Sequence, residues 1–101
     1  VPVEEQIQET IDFFSTGIDN GTIIGYAPRA KPKAVANRVK AMRNMLKAAG
    51  RLIDIGQTNR AVRQLRSIAK KTDGEKRPPD FVIGDDVAEL NEKVDAIIEA
   101  L

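Results

Sequence analysis

Apolar residues recur along four segments of this chain at the spacing of an amphipathic helix. The clearest run lies in residues 33–54, where the apolar positions are 4, 3, 4, 3 and 4 residues apart: Val35, Val39, Met42, Leu46, Ala49 and Ile53. Residues 3–15, 59–71 and 85–101 repeat the pattern over shorter lengths. Because spacings of three and four return side chains to one face of a helix, the pattern predicts four helices that each bury one stripe.

Glycines predict where three of these helices end. The first helix is expected to end at about Ser15, with Gly17 and the pair Asn20-Gly21 as its stop signals, and the third at Asp73-Gly74. Gly56 stands where a left-handed C-terminal cap of the second helix would fall. Since only a few residues around Gly56 separate the second and third helices, these two are predicted to form an antiparallel hairpin.

Polar side chains predict where the later helices begin. Thr58 is the expected N-cap of the third helix. Asp85 or Asp86 can cap the fourth helix, and Glu89 lies at the capping-box distance from Asp86.

Two longer connections, residues 15–32 and 72–84, carry apolar side chains that a solvated linker would not need. The second connection contains Pro78-Pro79, which favours a polyproline-like conformation. We expect Ile24, from the first connection, and Phe81, from the second, to close the ends of the core. No two-stranded hairpin signal accompanies these apolar runs, so no sheet is predicted.

Composition limits what can fill the core. Only four side chains are aromatic, namely Phe13, Phe14, Tyr26 and Phe81. Aliphatic side chains must therefore fill the seams between helices, as they do in bundles. The predicted fold is all-α: an antiparallel four-helix bundle of three long helices plus an N-terminal helix, with two long ordered loops, in one domain over residues 1–101. Because the chain starts at Val1 and not at methionine, we expect a module of a larger protein.

Histidine and cysteine are both absent, which removes much catalytic and metal-binding chemistry. A chain without them has no thiol nucleophile, no imidazole base and no Cys/His metal site. The acidic pairs Glu4-Glu5 and Asp85-Asp86 suit the first turns of helices, where they complement the helix dipole. We therefore predict no catalytic residue, no cofactor and no metal site. No apolar run reaches the roughly 18–20 residues that a membrane-spanning helix needs.

Charge is divided into zones along the chain, although the net charge is only +1. Residues 1–28 carry −5, residues 29–77 carry +12, and residues 78–101 carry −6. The positive zone includes the second and third predicted helices. Its candidate surface for a polyanion or a protein partner consists of Lys40, Arg43, Lys47, Arg60, Arg63 and Arg66.

Three interpretations of this basic surface stay open. The favoured one places basic helices between acidic ones, where rim pairs worth about 0–1 kcal/mol each would set the order of the helices. A protein partner comes second and a polyanion third. Nucleic acid is disfavoured, because the aromatic platforms that stack on single-stranded bases are missing. A helix-turn-helix also fits poorly, since the basic helices are heptad-patterned along most of their length.

One block of the sequence resembles a known type of helical module. Residues 45–56 read Met-Leu-Lys-Ala-Ala-Gly-Arg-Leu-Ile-Asp-Ile-Gly, and Ala61, Gln64 and Leu65 follow in an Ala-x-x-Gln-Leu pattern. Residues 70–74, 78–82 and 88–101 extend the match. Over about residues 35–101 the chain is similar to FIMAH modules, which occur at the ends of many secreted bacterial and archaeal hydrolases and surface proteins.

The resemblance implies an accessory role without chemistry of its own. The chain would be a C-terminal module of an extracellular or cell-surface protein, serving as a spacer, an attachment or a contact surface. Its partners would be other domains of the parent chain or a second protein. Arg60, Arg63 and Arg66 are more basic than the resemblance leads us to expect, so the polyanion interpretation remains the alternative.

Overall fold

The computed structural model describes residues 2–26, 32–74 and 80–101. Four helices dominate it, as the hydrophobic pattern predicts: α1 (Val3–Asn20), α2 (Pro32–Asp54), α3 (Thr58–Lys70) and α4 (Val87–Ala100). Two short strands, β1 (Ile24–Gly25) and β2 (Val82–Ile83), lie in the long connections. The all-α, four-helix class is confirmed, and the predicted polyproline-like pair Pro78-Pro79 lies outside the described residues.

Consecutive helices run antiparallel around a closed ring. Arg43 of α2 lies over the ring of Phe14 in α1, and Gly50 of α2 lies beside Ile7, nearer the start of α1, so the residue order reverses between the two helices. The amide of Gln64 in α3 donates to the carbonyl of Met45 in α2 across the predicted hairpin. Helix α4 packs against both α1 and α3 and closes the ring.

The centre of the ring is aliphatic apart from one phenylalanine. The fully buried side chains of the core include Phe14, Ile23, Met42, Leu46, Leu65, Ile68, Val82, Leu90, Val94 and Ile97. Most of them come from the stripes that the sequence pattern marks. Burying one Leu or Ile stabilises a fold by about 1.5–3 kcal/mol, so these stripes hold the bundle together.

Helix α1 is longer than predicted, because Gly17 lies inside it. A Cβ at Gly17 would meet the side chain of Ile23 at 2.5 Å, so the glycine makes room for the chain as it folds back. The backbone N–H groups of Thr22 and Ile23 both donate to the carbonyl of Gly17. The helix ends at Gly21, which has a φ of 78°.

The glycine cap of α2 is confirmed and the N-cap of α3 is not, whereas Asp86 occupies the N-cap position of α4 without a side-chain capping bond. Gly56 has a φ of 76°, and the N–H of Gln57 donates to the carbonyl of Leu52, which closes the helix end. Thr58 is the first residue of α3 instead of its N-cap, and neither Gln57 nor Asp86 makes a side-chain capping bond. The prediction of a capping box at Asp86 is therefore wrong.

The prediction that no sheet forms is also wrong, on a small scale. Strands β1 and β2 pair antiparallel, with Ile24 opposite Ile83 and Gly25 opposite Val82. We call this pair of strands the ribbon. It joins residues 57 and 59 positions apart in the chain, so no local turn signal could mark it.

The ribbon reverses the expectation for Ile24. Successive residues of a strand point to opposite faces, so only one of two neighbouring isoleucines can enter the core. Ile23 is fully buried, whereas Ile24 is 47% exposed. Phe81 does pack against the core as expected, and its ring lies between the cations of Arg38 (4.2 Å to the ring centroid) and Lys71 (5.3 Å).

Beside the ribbon, two backbones approach so closely that only glycine fits. Gly84 has a φ of 135°, and a Cβ there would collide with the carbonyl oxygen of Thr22. That carbonyl also accepts a hydrogen bond of 3.1 Å from the N–H of Asp86, at the entrance to α4. The contact ties the end of α1 to the start of α4.

We expect Gly84→Ala to lower the free energy of unfolding by about 3 kcal/mol or more, because it adds a backbone collision to an unfavourable φ. Gly21→Ala is the matched control: its φ is also positive, but open space surrounds the added Cβ. The control should lose only about 1–2 kcal/mol. Urea denaturation measures both, and equal losses would contradict the close approach at Thr22.

Candidate interaction sites

The three predicted basic residues of α2 lie on the side of that helix that faces α1. Arg43 is 5.9 Å from the ring centroid of Phe14. Lys47 lines a cleft between the two helices together with Glu4 and Glu5. Lys40 is exposed and belongs to the same stripe, because three and seven residues bring a helix back to nearly the same face. This half of the predicted surface therefore borders acidic residues, as the rim interpretation expects.

The three predicted arginines of α3, Arg60, Arg63 and Arg66, are all exposed. The part of α3 that meets α2 is marked instead by Gln64, whose amide reaches the carbonyl of Met45. Since α1 and α3 pack on different sides of α2, the arginines do not join the α2 residues in one patch. The structure thus divides the six predicted residues into two groups of three, one on α2 and one on α3.

Within the described residues, none of these six cations makes an ion pair within 4.0 Å. Arg43 makes the cation–π contact with Phe14, and the other five reach into solvent. The close rim pairs of the favoured interpretation are therefore not formed by these six residues, although Lys47 shares the cleft between α1 and α2 with Glu4 and Glu5.

An exposed apolar patch, which the sequence did not identify as a site, lies on the outer face of the ribbon. The cross-strand partners Ile24 and Ile83 are 47% and 39% exposed, and neighbouring Tyr26 is 37% exposed. We call these three residues the ribbon patch. The signal that could have found it was the doubled isoleucine in Thr22-Ile-Ile-Gly-Tyr26, since alternation exposes one member of such a pair.

A cavity of about 410 Å³ opens next to the ribbon, at the start of α4. Its lining includes Thr72, Asp73 and Asp80 from the second long connection, and Asn91 and Glu92 from α4. Ile83 also lines it, so the cavity and the ribbon patch share a side chain. We call it the ribbon cavity.

Asp80 is the buried acid of this cavity, with only 6% of its surface exposed. Its Oδ2 accepts a hydrogen bond of 2.9 Å from the N–H of Gly74, while its Oδ1 is buried with no hydrogen-bond partner. Burial raises the pKa of Asp80 above 3.8, and the nearby carboxylate of Asp73 raises it further, against the opposing effect of the Gly74 bond. The folded protein therefore holds the Asp80 proton more tightly than the unfolded chain does.

The raised pKa of Asp80 makes the stability of the fold depend on pH. The folded state binds more protons than the unfolded state between pH 3.8 and the higher folded pKa, so stability falls as the pH rises through that window. Asp80→Asn keeps an acceptor for the Gly74 N–H and removes the charge. We expect the free energy of unfolding of the variant, relative to that of the parent protein, to be higher at pH 7 than at pH 3.

Chemical denaturation at several pH values measures this difference. Asp95→Asn, at an exposed position of α4, is the matched control for the removal of one carboxyl group. If the free energy of unfolding of Asp80→Asn instead changed from pH 3 to pH 7 in parallel with that of the parent protein, the destabilising charge would not be at Asp80.

The described residues contain no group of three or more acidic, histidine or cysteine side chains arranged to hold a metal ion. None of their helices combines the length and the apolarity needed to cross a membrane.

Comparisons with known proteins add no family. The chain matches no family model, no curated protein and no solved structure.

Proposed function

We propose that this chain is a non-catalytic interaction domain of a larger extracellular protein, and that the ribbon patch is its contact surface. The observation that carries the proposal is the exposure of Ile24 and Ile83, which lie opposite each other on the outer face of the ribbon. Exposed apolar groups that adjoin one another are typical of surfaces that bind other proteins.

The packing of the ribbon supports this role. It is attached to the bundle by Val82 of β2 and by Ile23, which directly precedes β1, and both are fully buried. Backbone hydrogen bonds from Tyr26 to Phe81 (2.8 Å) and from Phe81 to Lys71 (3.0 Å) hold its end. Because these contacts fasten the ribbon from below, the folded domain does not need the outer isoleucines for its core.

The resemblance to FIMAH modules points in the same direction. An accessory module contributes contact and spacing, and its partner is another domain of the parent chain or a second protein. The full gene product tests this part of the proposal directly. We expect a secretion signal and a further catalytic or adhesive domain in it, whereas a cytosolic protein of this one domain would contradict the accessory role.

Neighbouring isoleucines provide a matched test of stability. We expect Ile24→Ala to change the free energy of unfolding by about 0.5 kcal/mol, as at other exposed positions. Ile23→Ala should lower it by about 2–5 kcal/mol, because it opens a hole in the core. Thermal and urea unfolding measure both, and a large loss for Ile24→Ala would show that the outer face serves the fold.

The contact itself is tested by site-specific photocrosslinking in the full parent protein. A photoreactive phenylalanine at position 24 or 83 should give crosslinks to a defined site on another domain or on one partner protein. The same group at exposed Asn59, at the start of α3, is the control and should not. Equal yields at all three positions, or none at position 24 or 83, would count against the ribbon patch.

Polyanion binding by the basic residues is the alternative function. The exposed arginines Arg60, Arg63 and Arg66 favour it, and their separation from Lys40 and Lys47 weakens it, because polyanion affinity grows with the number of charges contacted at once. Heparin titration at low salt distinguishes the two functions. No measurable affinity is expected; tight binding that Arg60→Gln, Arg63→Gln and Arg66→Gln together abolish would establish the alternative.

A further inference from the structure

The described lining of the ribbon cavity contains one buried hydrogen-bond acceptor without a partner. The Oδ1 atom of Asp80 is buried without any partner, in a side chain that is 94% buried and lines the cavity. A buried carboxylate oxygen without a donor is costly, and native proteins rarely leave one unless something binds there. Asp80 Oδ1 therefore requires a hydrogen-bond donor.

Asp80 also forms hydrogen bonds with the backbone and the side chain of Asp73, but Oδ1 stays without a partner. The N–H of Gly74 already donates to Asp80 Oδ2. The amide nitrogen of Asn91 donates to the carbonyl of Ala69 (3.0 Å) and to Thr72 Oγ1 (3.1 Å). The hydroxyl of Thr72 itself donates within its helix end, to the carbonyl of Ile68. Because its amide nitrogen is already used, Asn91 can offer another partner only its side-chain carbonyl oxygen, which is a further acceptor.

The charged side chains among the described lining residues of the cavity have one sign. Asp73, Asp80 and Glu92 line it, and none of the described lining residues is basic. Asp73 raises the pKa of Asp80 by repulsion between the two carboxyl groups and by a hydrogen bond between their side chains, whereas its backbone hydrogen bond acts the other way. A cation placed between them would remove this repulsion.

The rest of the lining is apolar and sized for a side chain. Ile83, Val87 and Ala88 form one wall, and the volume of about 410 Å³ lies within the range of small-ligand sites. A cavity with an apolar wall and acidic acceptors suits a ligand with an alkyl stem and a donor-only head. Among protein side chains, lysine and arginine have this form.

We propose that the ribbon cavity binds the cationic end of a lysine or arginine side chain from a protein partner, with Asp80 Oδ1 as the buried acceptor. This inference rests on the proposed interaction function and names the chemistry of its partner. The partner would place an apolar residue on the ribbon patch and insert the neighbouring cationic side chain beside Ile83, which belongs to both sites.

Small blocked amino acids test the cavity without knowledge of the partner. N-acetyl-arginine methylamide and its lysine equivalent are titrated into the 15N-labelled chain at neutral pH. We expect shifts of the amide signals of Gly74, Gly84 and Asn91, with a Kd on the order of 1 mM, since one side chain supplies the contact. The neutral isostere N-acetyl-citrulline methylamide should bind at least about tenfold more weakly than the arginine probe.

Two charge-removing variants locate the cation. Asp80→Asn keeps the Gly74 bond and should weaken binding of the arginine probe by about tenfold, the size expected for loss of one charge-assisted hydrogen bond. Glu92→Gln should weaken it by a smaller factor. Glu99→Gln is the matched control for Glu92, because it removes the same exposed charge two turns further along α4, outside the cavity.

Several results would overturn the inference. Equal binding of the citrulline and arginine probes would remove the role of charge, and an unchanged Kd in Asp80→Asn would remove Asp80. Binding of cadaverine at least tenfold tighter than either amino acid would identify a diffusible diamine instead of a side chain. Calcium binding without arginine binding would assign the cavity to a metal ion.

The inference and the proposed function fail separately. Arginine binding by the cavity, with no crosslink from the ribbon patch, would support the cation site and contradict the interaction role of the ribbon. Crosslinks from the patch, with no arginine binding, would support the interaction domain and refute the cation site.

Discussion

The short antiparallel pairing between the two long connections determines most of what is distinctive in this bundle. Each strand contributes only two residues, and such a ribbon is marginal by itself. It persists because Val82 of β2 and Ile23, which precedes β1, are part of the bundle core, and because Gly84, which follows β2, touches the backbone of Thr22. A weak local element is thus held by the tertiary packing beneath it, and in turn covers one end of the helices.

Both candidate sites follow from this arrangement. A strand buried on one face must present its alternate residues on the other, which is why Ile24 and Ile83 face solvent together. The path of the chain before and after β2 brings Asp80 and Gly84 around a cavity at the start of α4. Burying Asp80 there costs stability at neutral pH, because its pKa is raised. Groups that lower stability without serving the core are often kept for binding.

The charge zones acquire a different meaning once the helices are placed. The acidic helices α1 and α4 are neighbours, as are the basic helices α2 and α3, so unlike charges meet only along two of the four helix contacts. Lys47 faces acids across one of these contacts, whereas Arg63 on α3 faces solvent. A single long basic segment in the sequence therefore divides into a part that complements α1 and a part with no structural assignment.

The sequence by itself determined the four helices, their buried stripes and the glycine cap at Gly56, because periodicity and left-handed geometry act over a few residues. It also identified Phe81 as a residue that packs on the core. Only the tertiary structure decided that Ile23 and not Ile24 is buried, that Gly17 continues α1, and that Asp80 is buried beside Asp73. Each of these depends on a contact between distant segments, and strand register, close backbone approach and desolvation have no local signal in the chain.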